Sequence, residues 1–221
     1  MSGPGDDGRP SGSPVIGVLA LQGASALHLE ALRALAVEAV EVRTPAELAE
    51  VDALVLPGGE STTISMMLER NELFEPLAER LAAGLPAFGT CAGMILLADG
   101  VLDGRADQRS FGAIDVDVRR NAFGRQVDSF EAELDVDGLE GGPFPAVFIR
   151  APVIERAGEG VEVLASVDGR PVLCRQGPVV VAAFHPELSD DLRLHRYFLH
   201  AVSSDDPSST LSPTGCVVTL E

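Results

Sequence analysis

Apolar positions in the first half of this chain follow two alternating patterns. Short runs read as strands buried on both faces: Val15-Ile16-Gly17-Val18-Leu19-Ala20-Leu21, Ala53-Leu54-Val55-Leu56 and Leu85-Pro86-Ala87-Phe88, with a shorter strand at Val40-Glu41-Val42-Arg43. Between them apolar residues recur at helical spacing. Leu29, Leu32, Leu35 and Ala36 share one face, and a helical stretch over 62–84 breaks near Asn71. Thr44-Pro45 reads as an N-cap with proline at N1, opening a brief helix through Glu50. Strands alternating with helices predict a parallel sheet covered on both faces. The second half changes character, with strands expected at 113–118, 129–136, 146–149, 161–167, 171–175 and 179–184. Asp168-Gly169 is a two-residue hairpin signal. A helix is expected over 190–202. The predicted fold is therefore α/β, a mostly parallel central sheet flanked by helices with additional strands in the second half, without internal repeats.

Composition narrows the picture further. The chain has 221 residues, 46% of them hydrophobic, which suits one well-cored domain, placed at 15–202. Residues 1–14 and 203–221 are rich in Gly, Ser, Pro and Asp and are expected to be a disordered extension and a flexible tail. A net charge of −18 argues against nucleic acid and anionic membranes as partners. No apolar run approaches the roughly 18–20 residues of a membrane span, and the start lacks the basic and apolar segments of a signal peptide. Cys91, Cys174 and Cys216 are three, widely spaced and without metal-ligand pairing, which fits a reducing cytoplasm and no bound metal.

Two segments carry candidate chemistry. Gly89-Thr90-Cys91-Ala92-Gly93 lies between an apolar strand and the helical pattern Met94-Ile95-Leu96-Leu97-Ala98, the context of a nucleophile elbow with cysteine as nucleophile. The small residues suit its sharp turn, and the positive end of the following helix favours a thiolate. Phe184-His185-Pro186-Glu187 ends a strongly apolar strand; His185 can take the thiol proton and Glu187 can orient the ring. Alone, the first segment is an ordinary tight turn and the second a strand stopped by proline. Together they place a nucleophile, a base and an orienting carboxylate at the carboxyl edge of one sheet, where ligands gather in open α/β folds. Backbone N–H groups at Ala92 and in the Gly58-Gly59 turn could serve a tetrahedral oxyanion. Glu60, Arg120 and Arg150 are candidates by type for a substrate bearing amino and carboxylate groups.

These segments, with Pro57-Gly58-Gly59-Glu60-Ser61-Thr62-Thr63, Arg120-Asn121-Ala122-Phe123-Gly124-Arg125-Gln126-Val127-Asp128-Ser129-Phe130 and Val147-Phe148-Ile149-Arg150-Ala151-Pro152, resemble class I glutamine amidotransferases. Within that class the stretch from Arg120, and Leu21-Gln22-Gly23-Ala24, resemble the glutaminase subunits of pyridoxal 5′-phosphate synthase. The resemblance covers about 15–202. It implies a Cys91–His185–Glu187 triad that hydrolyses L-glutamine, with the substrate held by Gly59, Glu60, Ser61, Arg120, Ile149 and Arg150. It also implies a hetero-oligomeric complex in which ammonia passes to a separate synthase subunit, and no pyridoxal phosphate or other cofactor on this chain. Two departures stand out: Ser25-Ala26-Leu27 precede His28 where relatives often carry charge, and the tail with Cys216 matches nothing. His28, His195 and His200 are assigned to surface or structural positions and Cys174 to a core strand. Two other readings stay open, a glutaminase for another acceptor such as imidazole glycerol phosphate synthase and a cysteine redox sensor. The stretch from Arg120 argues against the first and the His185–Glu187 pair against the second.

Overall fold

A computed structural model of the chain describes residues 14–105, 108–120 and 129–203. The expectations for residues 1–13, for the Asn121–Asp128 part of the family-like stretch, and for the tail from 204 with Cys216 lie outside the described residues. The first half runs β1 (Ile16–Leu19), α1 (Ser25–Ala34), β2 (Ala39–Val42), α2 (Pro45–Ala49), β3 (Ala53–Leu56), α3 (Ser61–Arg70), α4 (Phe74–Ala82), β4 (Ala87–Thr90) and α5 (Ala92–Leu97). The second half adds β5 (Ala98–Val101), β6 (Ile114–Arg119), β7 (Ser129–Leu134), β8 (Phe144–Ile149), β9 (Val153–Ala157), β10 (Glu162–Val167), β11 (Arg170–Gln176), β12 (Val179–Ala182) and α6 (Arg193–Ser203).

The main sheet has seven strands in the order β10-β11-β12-β4-β3-β1-β2. From β12 to β2 every pairing is parallel, and β10 and β11 close one side antiparallel. Every residue of β1, β3, β4 and β12 is buried, as continuous apolar runs require when helices cover both faces. Thr44 caps α2 as expected: its side chain accepts from the Glu47 N–H, and Glu47 returns to the Thr44 backbone, a pair of bonds of about 1 kcal/mol. The break near Asn71 separates α3 from α4. Asp168 and Gly169 form the two-residue turn between β10 and β11, with φ of 51° and 76° as a type I′ turn demands.

Most strand ends shift by one or two residues, and the larger differences from expectation lie in two helices and two added strands. Helix α1 stops at Ala34, because Ala36 takes φ 57° and turns the chain toward β2, so Leu35 and Ala36 lie beyond the helix. Helix α6 starts at Arg193, where the Asp191 carboxylate accepts from the Arg193 N–H, and runs through Ser203, one residue into the expected tail. Strands β5 and β9 flank β6 in a separate three-stranded sheet and carry no alternating pattern; β5 contains a register shift against β6. Strands β7 and β8 pair as an antiparallel ribbon.

Candidate functional site

Strands β4 and β12 are parallel neighbours with Thr90 opposite Ala182, and the Cys91 N–H donates to the Ala182 carbonyl at 2.8 Å. This register brings the residue after β4 and the residues after β12 to the same edge of the sheet. Cys91 stands in the turn into α5 with φ 50° and ψ −101°, a region that a side-chain-bearing residue enters only where the surroundings hold it. Helix α5 crosses β3 so closely that a Cβ on Gly93 would sit 1.9 Å from the Leu56 carbonyl oxygen. The elbow expected from Gly-x-Cys-x-Gly is present, and the glycine is needed for packing as well as for the turn.

His185 follows β12, its backbone N–H held by the Val147 carbonyl of β8 at 2.8 Å. Its Nδ1 lies 2.8 Å from Glu187 Oε1, and its side chain also hydrogen-bonds Cys91. Burial pulls the imidazole toward neutrality, but the bonds to Cys91 and Glu187 prevail and raise it to about 10. Gly58 lies directly under this ring: a Cβ there would reach 2.3 Å from His185 Cε1. The Glu187 side chain is fully buried; burial works against its charge, while His185 and His28 hold its pKa below the usual carboxylate range.

In an unfolded chain His185 titrates near 6.5. Its charge therefore contributes stability that is fully present below that pH and is lost as pH rises through about 10. Urea midpoints at about pH 7 and about pH 10.5 should fall further for the native protein than for His185→Asn. Equal falls would show that the ring is not held protonated.

The sequence-predicted residues converge on one cleft of about 500 Å³. Gly59, Glu60, Ser61, Cys91, Arg120, Ile149, Arg150, His185 and Glu187 all line it. Gly58 and Ala92 lie behind that lining, both buried, one under His185 and one following Cys91. Glu60 caps α3, accepting from the Thr62 and Thr63 N–H groups, and its Oε1 is 3.0 Å from an Arg120 nitrogen. The cleft thus presents both signs of charge side by side. Arg150 holds φ 44° at its rim.

Two glutamines escaped the sequence reading as site residues. Gln22 lines the cleft and accepts from the Glu60 N–H at 2.9 Å. Gln108 joins the Arg120 guanidinium (2.7 Å) to the Ser61 hydroxyl (3.1 Å). Gln22 carried a signal in the Leu-Gln-Gly-Ala segment; Gln108 carried none. Among the described residues no cluster of three or more His, Cys, Asp or Glu could hold a metal ion, and no helix is long and apolar enough to cross a membrane.

Residues 18–204 match the sequence model of the SNO glutamine amidotransferase family. The chain belongs to the SNO glutamine amidotransferase family. It is 59% identical to the pyridoxal 5′-phosphate synthase subunit PdxT of Parafrankia sp. (strain EAN1pec) over 193 residues, covering 87% of this chain and 95% of the relative. The PdxT subunit of Frankia alni is 60% identical over 191 residues, covering 86% and 96%. A crystal structure of a glutamine amidotransferase superposes with a TM-score of 0.80 at 51% identity, covering 86% of this chain and 99% of that one. This SNO amidotransferase thus has the class I α/β fold expected from its sequence.

Proposed function

We propose that this chain hydrolyses L-glutamine to L-glutamate and ammonia and delivers the ammonia to the synthase subunit of a cytoplasmic pyridoxal 5′-phosphate synthase complex. The carrying observation is the Cys91–His185–Glu187 constellation opening into a cleft that also holds Glu60 and Arg120. Gly59, Glu60, Ser61, Arg120, Ile149 and Arg150 hold the amino acid, with Arg120 and Glu60 suited to its carboxylate and amino groups. His185 takes the Cys91 thiol proton as the sulfur attacks. Attack on the side-chain amide carbon forms the S–C bond and moves an electron pair onto the carbonyl oxygen. N–H groups at Ala92 and the Gly58-Gly59 turn receive that oxyanion.

Collapse of this intermediate breaks the C–N bond as His185 gives its proton to the leaving nitrogen, releasing ammonia and leaving a γ-glutamyl thioester. His185 then takes a proton from water, the water oxygen attacks the thioester carbon, and the S–C bond breaks to release glutamate. Glu187 keeps Nδ1 of the ring engaged throughout. No step uses a cofactor on this chain.

Ammonia made without an acceptor is wasted, and the Gly58-Gly59 turn is suited to gating. The Gly58 carbonyl accepts from the Ala24 N–H at 3.3 Å, which ties that peptide to the loop before α1. Docking of the synthase resets this peptide and completes the oxyanion site. One missing oxyanion donor costs roughly 10²–10³ in turnover, so glutamate release at saturating glutamine should rise by about that factor when the cognate synthase is added. Equal rates with and without the synthase would leave a constitutive glutaminase, and no glutamate in either condition would overturn the glutaminase reading.

A further inference from the structure

Behind Glu187 lies a buried polar chain that the expected roles of the histidines did not anticipate. His28, on the first turns of α1, and His195, on α6, are both fully buried, whereas His200 is exposed. His28 Nε2 sits between Thr90 Oγ1 (3.2 Å) and Glu187 Oε2 (3.3 Å). Its hydrogen bond goes to the hydroxyl, and among the described residues Glu187 Oε2 meets no hydrogen-bond partner of normal geometry. On the far side of the ring, His28 Nδ1 is 3.0 Å from His195 Nε2. Phe88 meets both imidazoles edge-on, with centroids 6.4 and 6.0 Å away, so the pair is walled by an apolar ring.

Charge and partner count choose the tautomers. Burial holds His28 toward neutrality against the pull of Glu187, and burial together with His28 pushes His195 down to about 3. Each ring therefore carries one N–H. With the hydrogen on His28 Nδ1, the Nε2 lone pair would face the carboxylate, and His195 Nδ1–H would be a buried donor with no partner. With the hydrogen on Nε2, His28 donates toward Thr90 and Glu187 and accepts from His195 Nε2–H. His195 Nδ1 is then left with an unmet lone pair rather than an unmet donor.

We propose that His28 is a positioning residue of the glutaminase site, one that holds the Glu187 carboxylate so that Oε1 stays on His185 Nδ1, with His195 and Thr90 setting its own orientation. A buried carboxylate with one oxygen on His185 and the other without a donor would be free to rotate away or to take up a proton. His28 Nε2 lies 3.3 Å from that second oxygen, and it comes from the helix that follows the Gln22–Ala24 wall of the cleft. This inference rests on the triad reading given above.

The test uses the complex with its synthase. An asparagine amide reproduces the Nδ1 side of histidine and leaves Glu187 without its donor, whereas glutamine places an amide near Nε2. His28→Asn should lower kcat roughly tenfold or more, the worth of a hydrogen bond to a charged group, with KM changed by less than about twofold. His28→Gln should recover most of that loss. In a Glu187→Gln background His28→Asn should add little, because residues acting through one another are not additive. An unchanged kcat in His28→Asn while Glu187→Gln is impaired would overturn the inference and leave the triad standing. Full activity in Glu187→Gln would instead remove the triad reading. A measurement on the native protein guards against misfolded variants: ¹⁵N-histidine NMR should show His28 as the Nε2–H tautomer, and an Nδ1–H tautomer would overturn the proposal.

Discussion

Replacing Cys91 by serine should end glutamate release, by on the order of 10⁴-fold or more as in triads stripped of their nucleophile, while leaving the fold intact. The site sets a thiol beside the His185 base, and a hydroxyl at that position is far less acidic. The change is nearly isosteric, so the buried elbow with its positive φ has no reason to move, and the thermal midpoint should stay within a few degrees. The same chemistry predicts selective labelling. A glutamine-like electrophile should modify Cys91 and spare Cys174, whose thiol is fully buried on β11 and pushed up to about 12 by that burial. Stoichiometric labelling of Cys174 with Cys91 untouched would refute the assignment.

Glu187→Gln should cost turnover far more than it costs glutamine binding. The carboxylate stabilises the imidazolium at 2.8 Å and does so from full burial, where no water can substitute. Loss of the orienting charge in a comparable triad lowers turnover by about 10⁴-fold, so even a drop of about 100-fold in kcat with KM little altered would support the role. The amide also turns an NH₂ toward His28 or presents one to His185, so one neighbour must change tautomer to avoid facing a like donor. Native kcat in this variant would reduce Glu187 to a structural carboxylate.

Much of the fold was legible because its signals are local. Continuous apolar runs need no partner to be recognised as doubly covered strands, and β1, β3 and β12 follow them. Thr44-Pro45 and Asp168-Gly169 carry their own capping and turn chemistry. Strands β5 and β9 lack any such signal; Ala98–Val101 contains an aspartate and a glycine, and Val153–Ala157 carries two adjacent charged residues after a proline, so both become strands only by pairing with β6. The histidines divide in the same way. His28 lies four residues before Leu32 and His195 three before Phe198, each on the apolar stripe of its helix, and that placement was the available sign of burial.

The order of residues by itself picked out the candidate reacting groups. A cysteine between small residues after a strand, and a histidine and a carboxylate two residues apart after another, point to the proposed chemistry, because each motif is short and shaped by its own backbone. Tertiary structure decided what lies next to what. The parallel register of β4 against β12 brings Cys91 to His185, the crossing of α5 over β3 makes Gly93 indispensable, and the packing of α1 and α6 on that edge puts two uncharged imidazoles behind Glu187. Contacts between residues far apart in the chain, and the burial that sets their protonation, arise only when the sheet and its helices close around one another.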